Sequence, residues 1–157
     1  MMLGETTGNK RSKEEYEFLG TNSSRFIWIE LAKYDLYRTD FHTYSIFNNL
    51  GHKKKELSEE EYQEVQINLS KEIMMVEPKL VLSVGRYPTE ELLQDKIGGE
   101  FYNTCGELLY STNYKIWFVS TIHPSIVARD EDKMILLQSS IANFYEYYED
   151  MKNNEKP

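Results

Sequence analysis

The run at residues 80–84 constrains the fold of this chain more than any other stretch. It reads Leu-Val-Leu-Ser-Val, follows a helix breaker at Pro78 and stops at Gly85. A strand this continuously apolar is typical of a parallel sheet that is buried on both faces. Because parallel neighbours are joined by long crossover connections, usually helices, the run predicts an α/β fold.

The remaining patterns alternate between strand and helix. Strands are predicted at residues 2–3, 41–47 and 114–121, with a short antiparallel strand at 107–110. Helices are predicted at residues 22–34, at 58–76 behind a Ser58/Glu61 capping box, from Pro88, and from Asp130 onward. This order predicts a three-layer sandwich with a central, mainly parallel four-stranded sheet flanked by helices. We expect a single domain over residues 1–152 and a polar tail over 153–157.

Composition narrows the class of protein. No apolar run approaches the roughly 18 residues that a membrane-spanning helix needs, and no signal-peptide pattern is present, so we expect a soluble, cytoplasmic protein with no membrane partner. Cys105 is the only cysteine, which excludes an internal disulfide and an all-cysteine iron–sulfur site. The net charge of −8 argues against indiscriminate nucleic-acid binding. Basic residues are nevertheless concentrated at 10–13 and 52–55, either as solvated loops or as part of a site.

The loop after the last predicted strand is the main candidate for a functional site. Pro124 disfavours helical geometry at the residue before it, so His123 is presented at the carboxyl end of a strand, where ligands bind in open α/β sheets. Histidine is also the side chain whose charge changes most readily near neutral pH. Right-handed crossovers would bring residues 4–8, 45–51, 85–86 and 123–129 to the same edge of the sheet. A purely structural histidine is the alternative reading.

A set of motifs in this order resembles the uracil-DNA glycosylase superfamily, and most closely its family 4 type. The motifs are Gly4-Glu5-Thr6-Thr7-Gly8, Tyr16-Glu17-Phe18-Leu19-Gly20, the strand that ends at Gly85-Arg86, and His123-Pro124-Ser125 with Arg129. The resemblance implies a DNA repair enzyme of base excision. Such a glycosylase flips a uracil, or a related damaged or modified pyrimidine, out of single- or double-stranded DNA and hydrolyses its N-glycosidic bond, leaving an abasic site.

The resemblance also implies catalytic and base-binding residues. His123 would stabilise the anionic leaving base, and Glu5 would orient a water molecule. Phe18 would be the aromatic floor on which the flipped base stacks. The other base-binding residues would be Gly4, Thr6 and Ser45.

DNA contacts follow from the same resemblance. Ile126 and Val127, exposed at the loop tip, would form an apolar wedge between base steps. The residues that would hold phosphates are Ser125, Arg129, Gly85, Arg86, Lys53, Lys54 and Lys55.

The chain departs from the family pattern at several positions. Thr6-Thr7 replace Ala-Pro in the opening motif, and residues 9–12 replace acidic residues, which leaves Glu5 as the only carboxylate there. Ser45 stands where the family carries an Asn that pairs with uracil, and a single hydroxyl cannot reproduce a bidentate amide contact. The family's four cluster-binding cysteines are missing, so we expect no metal and no cofactor.

Two other functions stay open. The chain can be a catalytically weakened or inactive glycosylase-like module that binds DNA or a protein through the same loops. It can also be a small-molecule or nucleotide binder that uses the loop at residues 4–8, although that loop has neither a Gly-x-Gly-x-x-Gly run nor a Walker-type Lys.

Overall fold

The computed structural model describes residues 1–5, 22–47 and 57–154. These residues form one five-stranded sheet in the order β2-β1-β3-β5-β4. The strands are β1 (Met2–Gly4), β2 (Thr43–Ser45), β3 (Val81–Val84), β4 (Leu108–Ser111) and β5 (Ile116–Thr121). All neighbours pair in parallel except β4, which is antiparallel to β5. The predicted fold class is therefore confirmed, with four parallel strands and an added antiparallel edge strand.

Helices cover both faces of the sheet. They are α1 (Arg25–Ala32), α2 (Glu59–Val76), α3 (Arg86–Leu93), α4 (Phe101–Thr104), α5 (Pro124–Arg129) and α6 (Met134–Asn154). One apolar core joins α2 and α3 to the sheet and contains Val81, and a second joins α1, α4, α5 and α6 to the opposite face and contains Leu82. Adjacent residues of β3 thus enter different cores, which explains why the run at 80–84 is apolar without alternation.

The helix boundaries follow local signals in part. The predicted capping box is confirmed, because Ser58 Oγ accepts the Glu61 N–H at 3.2 Å and a Glu61 carboxylate oxygen accepts the Ser58 N–H at 3.2 Å. Helix α3 begins at Arg86, two residues before the predicted start at Pro88. Pro88 still lies in the first helical turn, where a missing N–H breaks no intrahelical bond.

The carboxyl-terminal region is divided differently from the prediction. Instead of one helix from Asp130, the chain forms the six-residue α5, a 3₁₀ turn at Glu131–Lys133, and then α6. Helix α6 extends to Asn154, so residues 153 and 154 are helical rather than part of a polar tail. In the described part of the chain, no helix has the length and apolar character needed to cross a membrane.

Candidate functional site

An open cleft of about 880 Å³ lies where β1, β3 and β5 end. We call it the strand-end cleft. Its walls include Tyr87 and Glu90 from α3, Gly98 and Gly99 from the 3₁₀ turn before α4, and Tyr102 from α4 itself. Residues that the sequence singled out also line it, namely Glu5, Gly85, Arg86, His123, Ser125, Ile126 and Arg129. The fold therefore brings together loops that are far apart in the sequence.

His123 is held at the end of β5 by its neighbours. Ile122 and Pro124 on either side of it are buried, whereas His123 itself is partly exposed. Its backbone is extended (φ −67°, ψ 134°), as expected before a proline, and Pro124 occupies the first position of α5. The backbone thus directs the imidazole toward the cleft while both adjacent residues are anchored in the interior.

The hydrogen bonds of His123 assign its tautomer. Nδ1 accepts the backbone N–H of Ser125 at 3.1 Å and lies 2.7 Å from Ser125 Oγ. A backbone N–H can only donate, so Nδ1 carries the lone pair and the proton of the neutral ring is on Nε2. Burial, and after it the charge of Arg129, lowers the pKa of His123 below its ordinary value of 6.5. At neutral pH the ring is therefore an uncharged N–H donor.

Gly85 connects the ends of β3 and β5 beside this ring. Its N–H donates to the Thr121 carbonyl at 2.8 Å. Its φ of +97° is in the region that favours glycine, and a Cβ at this position would lie 3.5 Å from the Cβ and 3.8 Å from the Cδ2 of His123. A glycine is needed here for the backbone conformation rather than for space, since a Cβ would make only ordinary van der Waals contacts with the imidazole.

Thr89 supports this turn and was missed in the sequence. It is fully buried, and its hydroxyl donates to the Gly85 carbonyl at 3.0 Å and lies 2.9 Å from Ser83 Oγ. The one local signal for this role was its position, four residues after a glycine that ends a strand. Tyr87, also missed, lines the cleft and packs against Phe47 with 5.0 Å between ring centroids.

Burial and nearby acidic groups both act on the hydroxyl of Tyr87. Burial, followed by the charges of Glu91, Tyr62, Glu5 and Glu90, raises the pKa of Tyr87, so its hydroxyl keeps its proton at neutral pH. Glu5 directly follows β1, and its carbonyl accepts the Phe47 N–H at 3.0 Å. This bond continues the pairing of β1 and β2 to the rim of the cleft and fixes the backbone that carries the Glu5 side chain.

The cleft also contains two arginines. Arg86 lies in a helical i,i+4 pair with Glu90, with 3.7 Å between Arg86 Nε and Glu90 Oε1. Arg129 Nε donates to the Ser125 carbonyl at 3.4 Å. Both side chains are exposed, so their charges are accessible to an anion from solvent. Within residues 1–5, 22–47 and 57–154, no group of three or more His, Cys, Asp or Glu side chains could hold a metal ion.

Two predicted base-binding residues do not line the described cleft. Gly4 and Ser45 are direct partners in the parallel register of β1 and β2, and both are buried. The Ser45 hydroxyl is buried and has no hydrogen-bond partner among the described residues. Thr6, Phe18, Lys53, Lys54 and Lys55 lie outside the described residues.

The predicted exposure of Val127 is wrong. Val127 is only 2% exposed and belongs to the core that α1, α5 and α6 form against the sheet. The reason is helical periodicity: Pro124 and Val127 are three residues apart in α5 and share its inner face. Ile126 is half-buried and lines the cleft, so it is the only described member of the predicted wedge that can contact a ligand there.

No protein-family model and no curated protein matches this chain. The likeness to the uracil-DNA glycosylase superfamily is thus a prediction that rests on the motifs alone.

Proposed function

We propose that this protein is a monofunctional DNA glycosylase that releases uracil, or a related damaged or modified pyrimidine, and leaves an abasic site. The observation that carries the proposal is the fixed, neutral imidazole of His123, whose Nε2–H is available in a cleft that also holds Glu5. A donor of this kind suits a reaction in which negative charge develops on a leaving group.

The chemistry assigns separate tasks to these two side chains. As the bond between C1′ and N1 breaks, its electron pair moves to the base, and His123 donates a hydrogen bond from Nε2 to the carbonyl oxygen that gains negative charge. Loss of one such donor typically costs about 10²–10³ in kcat. Water adds its oxygen to C1′ and gives one proton to Glu5. Solvent then protonates the base anion, so the products are a free base and an abasic sugar.

Preorganisation supports this role for His123. Because the ring already accepts the Ser125 N–H through Nδ1, its donor nitrogen is determined before any substrate binds. The lowered pKa keeps the ring uncharged, so it can stabilise the base anion by donation at neutral pH. Arg86 and Arg129 are exposed at the cleft and can contact the phosphates on either side of the target nucleotide.

A binding module without catalysis is the second candidate, and Ser45 is the observation that favours it. Its hydroxyl is buried and does not line the cleft, and the described lining contains no Asn or Gln that could pair with the edge of uracil. A site that does not hydrogen-bond its substrate selectively discriminates poorly between bases. DNA would then bind at the same loops without being cut.

Direct assay of base excision tests the proposal. Single- and double-stranded oligonucleotides that carry uracil, and then other deaminated or modified bases, are incubated with the protein and treated with alkali to reveal abasic sites. His123→Ala should abolish cleavage, and Glu5→Gln should reduce it. His42→Ala is the matched control, because His42 is exposed, pairs with Glu72 and comes directly before β2, at the end of the strand opposite to the cleft.

The outcomes separate the candidates. Strand cleavage that persists unchanged in His123→Ala would refute the assignment of the leaving-group donor. DNA that binds in a salt-dependent way and is never cut, whichever base is tested, would favour the binding module.

A further inference from the structure

Tyr102 forms an exposed aromatic surface on one wall of the strand-end cleft. Both Tyr102 and its neighbour Phe101 line the cleft, but Phe101 is buried in the core, whereas Tyr102 is 39% exposed. The Nζ atom of Lys133, which comes from the turn before α6, lies over one face of the Tyr102 ring, 4.8 Å from its centroid, so a base would stack on the opposite face. An aromatic ring next to a cation is the combination with which proteins hold single-stranded nucleic acid, since a base stacks on the ring and a phosphate contacts the cation.

The wall between Tyr102 and α3 leaves room for a strand. Gly98 and Gly99 line it, and a Cβ built at either position would meet nothing within 4 Å. The cleft volume of about 880 Å³ is near the upper end of the roughly 300–1,000 Å³ found for small-ligand pockets. The cleft can therefore hold more than the single base that the proposed reaction releases.

The burial of one of the two predicted wedge residues, Ile126 and Val127, indicates whether single- or double-stranded DNA fits the cleft. Extruding a base from a duplex requires unstacking, and proteins that bend or open duplex DNA insert apolar side chains to achieve it. Here Val127 is buried and only Ile126 reaches the cleft. A strand that is already unpaired needs little unstacking, so it fits this surface better than a duplex does.

We propose that the DNA recognised by this cleft is single-stranded, and that Tyr102, with Lys133 beside it, stacks a base that neighbours the target nucleotide. This inference rests on the proposed function for the identity of the target base. The stacking surface itself is independent of catalysis, because neither Tyr102 nor Lys133 is assigned a part in breaking the glycosidic bond.

The test measures binding separately from excision. A fluorescent single strand with a central tetrahydrofuran, a stable analogue of the abasic product, is titrated with protein and followed by anisotropy. Loss of one stacked base is expected to weaken binding by about 5- to 150-fold. We expect that loss in Tyr102→Ala, and wild-type affinity in Tyr102→Phe. Tyr110→Ala is the matched control, because Tyr110 is an exposed tyrosine on β4 that does not line the cleft.

A second measurement excludes a merely structural effect. 2-Aminopurine is placed on the 5′ side of the tetrahydrofuran in one strand and on the 3′ side in another. Stacking on Tyr102 should quench one of the two probes in the wild type and in Tyr102→Phe, and the quenching should be lost in Tyr102→Ala. Thermal unfolding of the three proteins checks that they are equally folded.

The outcomes distinguish this inference from the proposed function. If the wild type excises uracil and Tyr102→Ala binds the strand as tightly as the wild type does, the stacking surface alone is overturned. Tyr102-dependent binding without excision would support the surface and count against the glycosylase. Tighter binding of a duplex that carries the same tetrahydrofuran would overturn the preference for a single strand.

Discussion

Gly85→Ala tests whether the turn beside His123 depends on a backbone conformation that only glycine adopts easily. Gly85 has φ +97° and ψ 168°, a region that is essentially restricted to glycine. The nearest atoms to a new Cβ are His123 Cβ at 3.5 Å and His123 Cδ2 at 3.8 Å, which are ordinary contact distances. The expected cost is therefore backbone strain rather than a clash, at about 2 kcal/mol within the roughly 1–3 kcal/mol typical of such residues.

Urea unfolding measures this cost. With a slope of about 2 kcal/mol per molar urea for a domain of this size, the midpoint should fall by about 1 M. Gly99→Ala is the matched control, because Gly99 also lines the cleft but has open space around its Cβ position and no positive φ. Its midpoint should stay unchanged or rise slightly, since alanine reduces the entropy of the unfolded chain. Equal midpoints for the two variants would refute the strain argument.

The remaining predictions concern the pKa of His123 and the buried hydroxyls of Thr89 and Ser45. In the proposed reaction the neutral ring of His123 is the donor. The kcat/KM should therefore be level at neutral pH and fall as the pH drops through a pKa below 6.5, and Arg129→Gln should move this acid limb upward. Stability measured in urea should also fall with acid below pH 6.5, because the unfolded chain then binds the proton more readily than the folded one; an acid limb above 6.5 would contradict the assignment. Thr89→Val should lower the free energy of unfolding by about 1–3 kcal/mol, because it leaves the buried Gly85 carbonyl without its hydroxyl donor. Ser45→Ala should be close to neutral, because its hydroxyl has no partner in the described residues, and equal losses in the two variants would count against this reasoning.

Much of the fold was predictable because its signals are local. The apolar run at 80–84 has to be buried on both sides, and its residues do alternate between the two cores. The Ser58/Glu61 box marks the start of α2 through bonds that span only three residues. The start of α3 was misplaced because the positive φ of Gly85 lets the helix begin directly after the strand, which the proline at position 88 does not reveal.

The site was less predictable because it depends on which face of each helix packs against the core and which face is left at the cleft. Ile126 and Val127 are adjacent apolar residues, and the sequence does not say that α5 turns one toward the core and the other toward the cleft. Tyr102 and Thr89 have no motif around them, and their positions follow only from the packing of α4 and α3. His123 was found because a strand, a proline and a sheet edge are all readable from the sequence.

The burial of Val127 means that the loop carrying His123 is seated in the interior at both ends. Ile122 before the histidine and Val127 after it are both buried in the core, so only four residues of chain lie between these two buried positions. The position of the imidazole therefore depends on the folding of the whole domain, and its orientation is determined before any ligand binds.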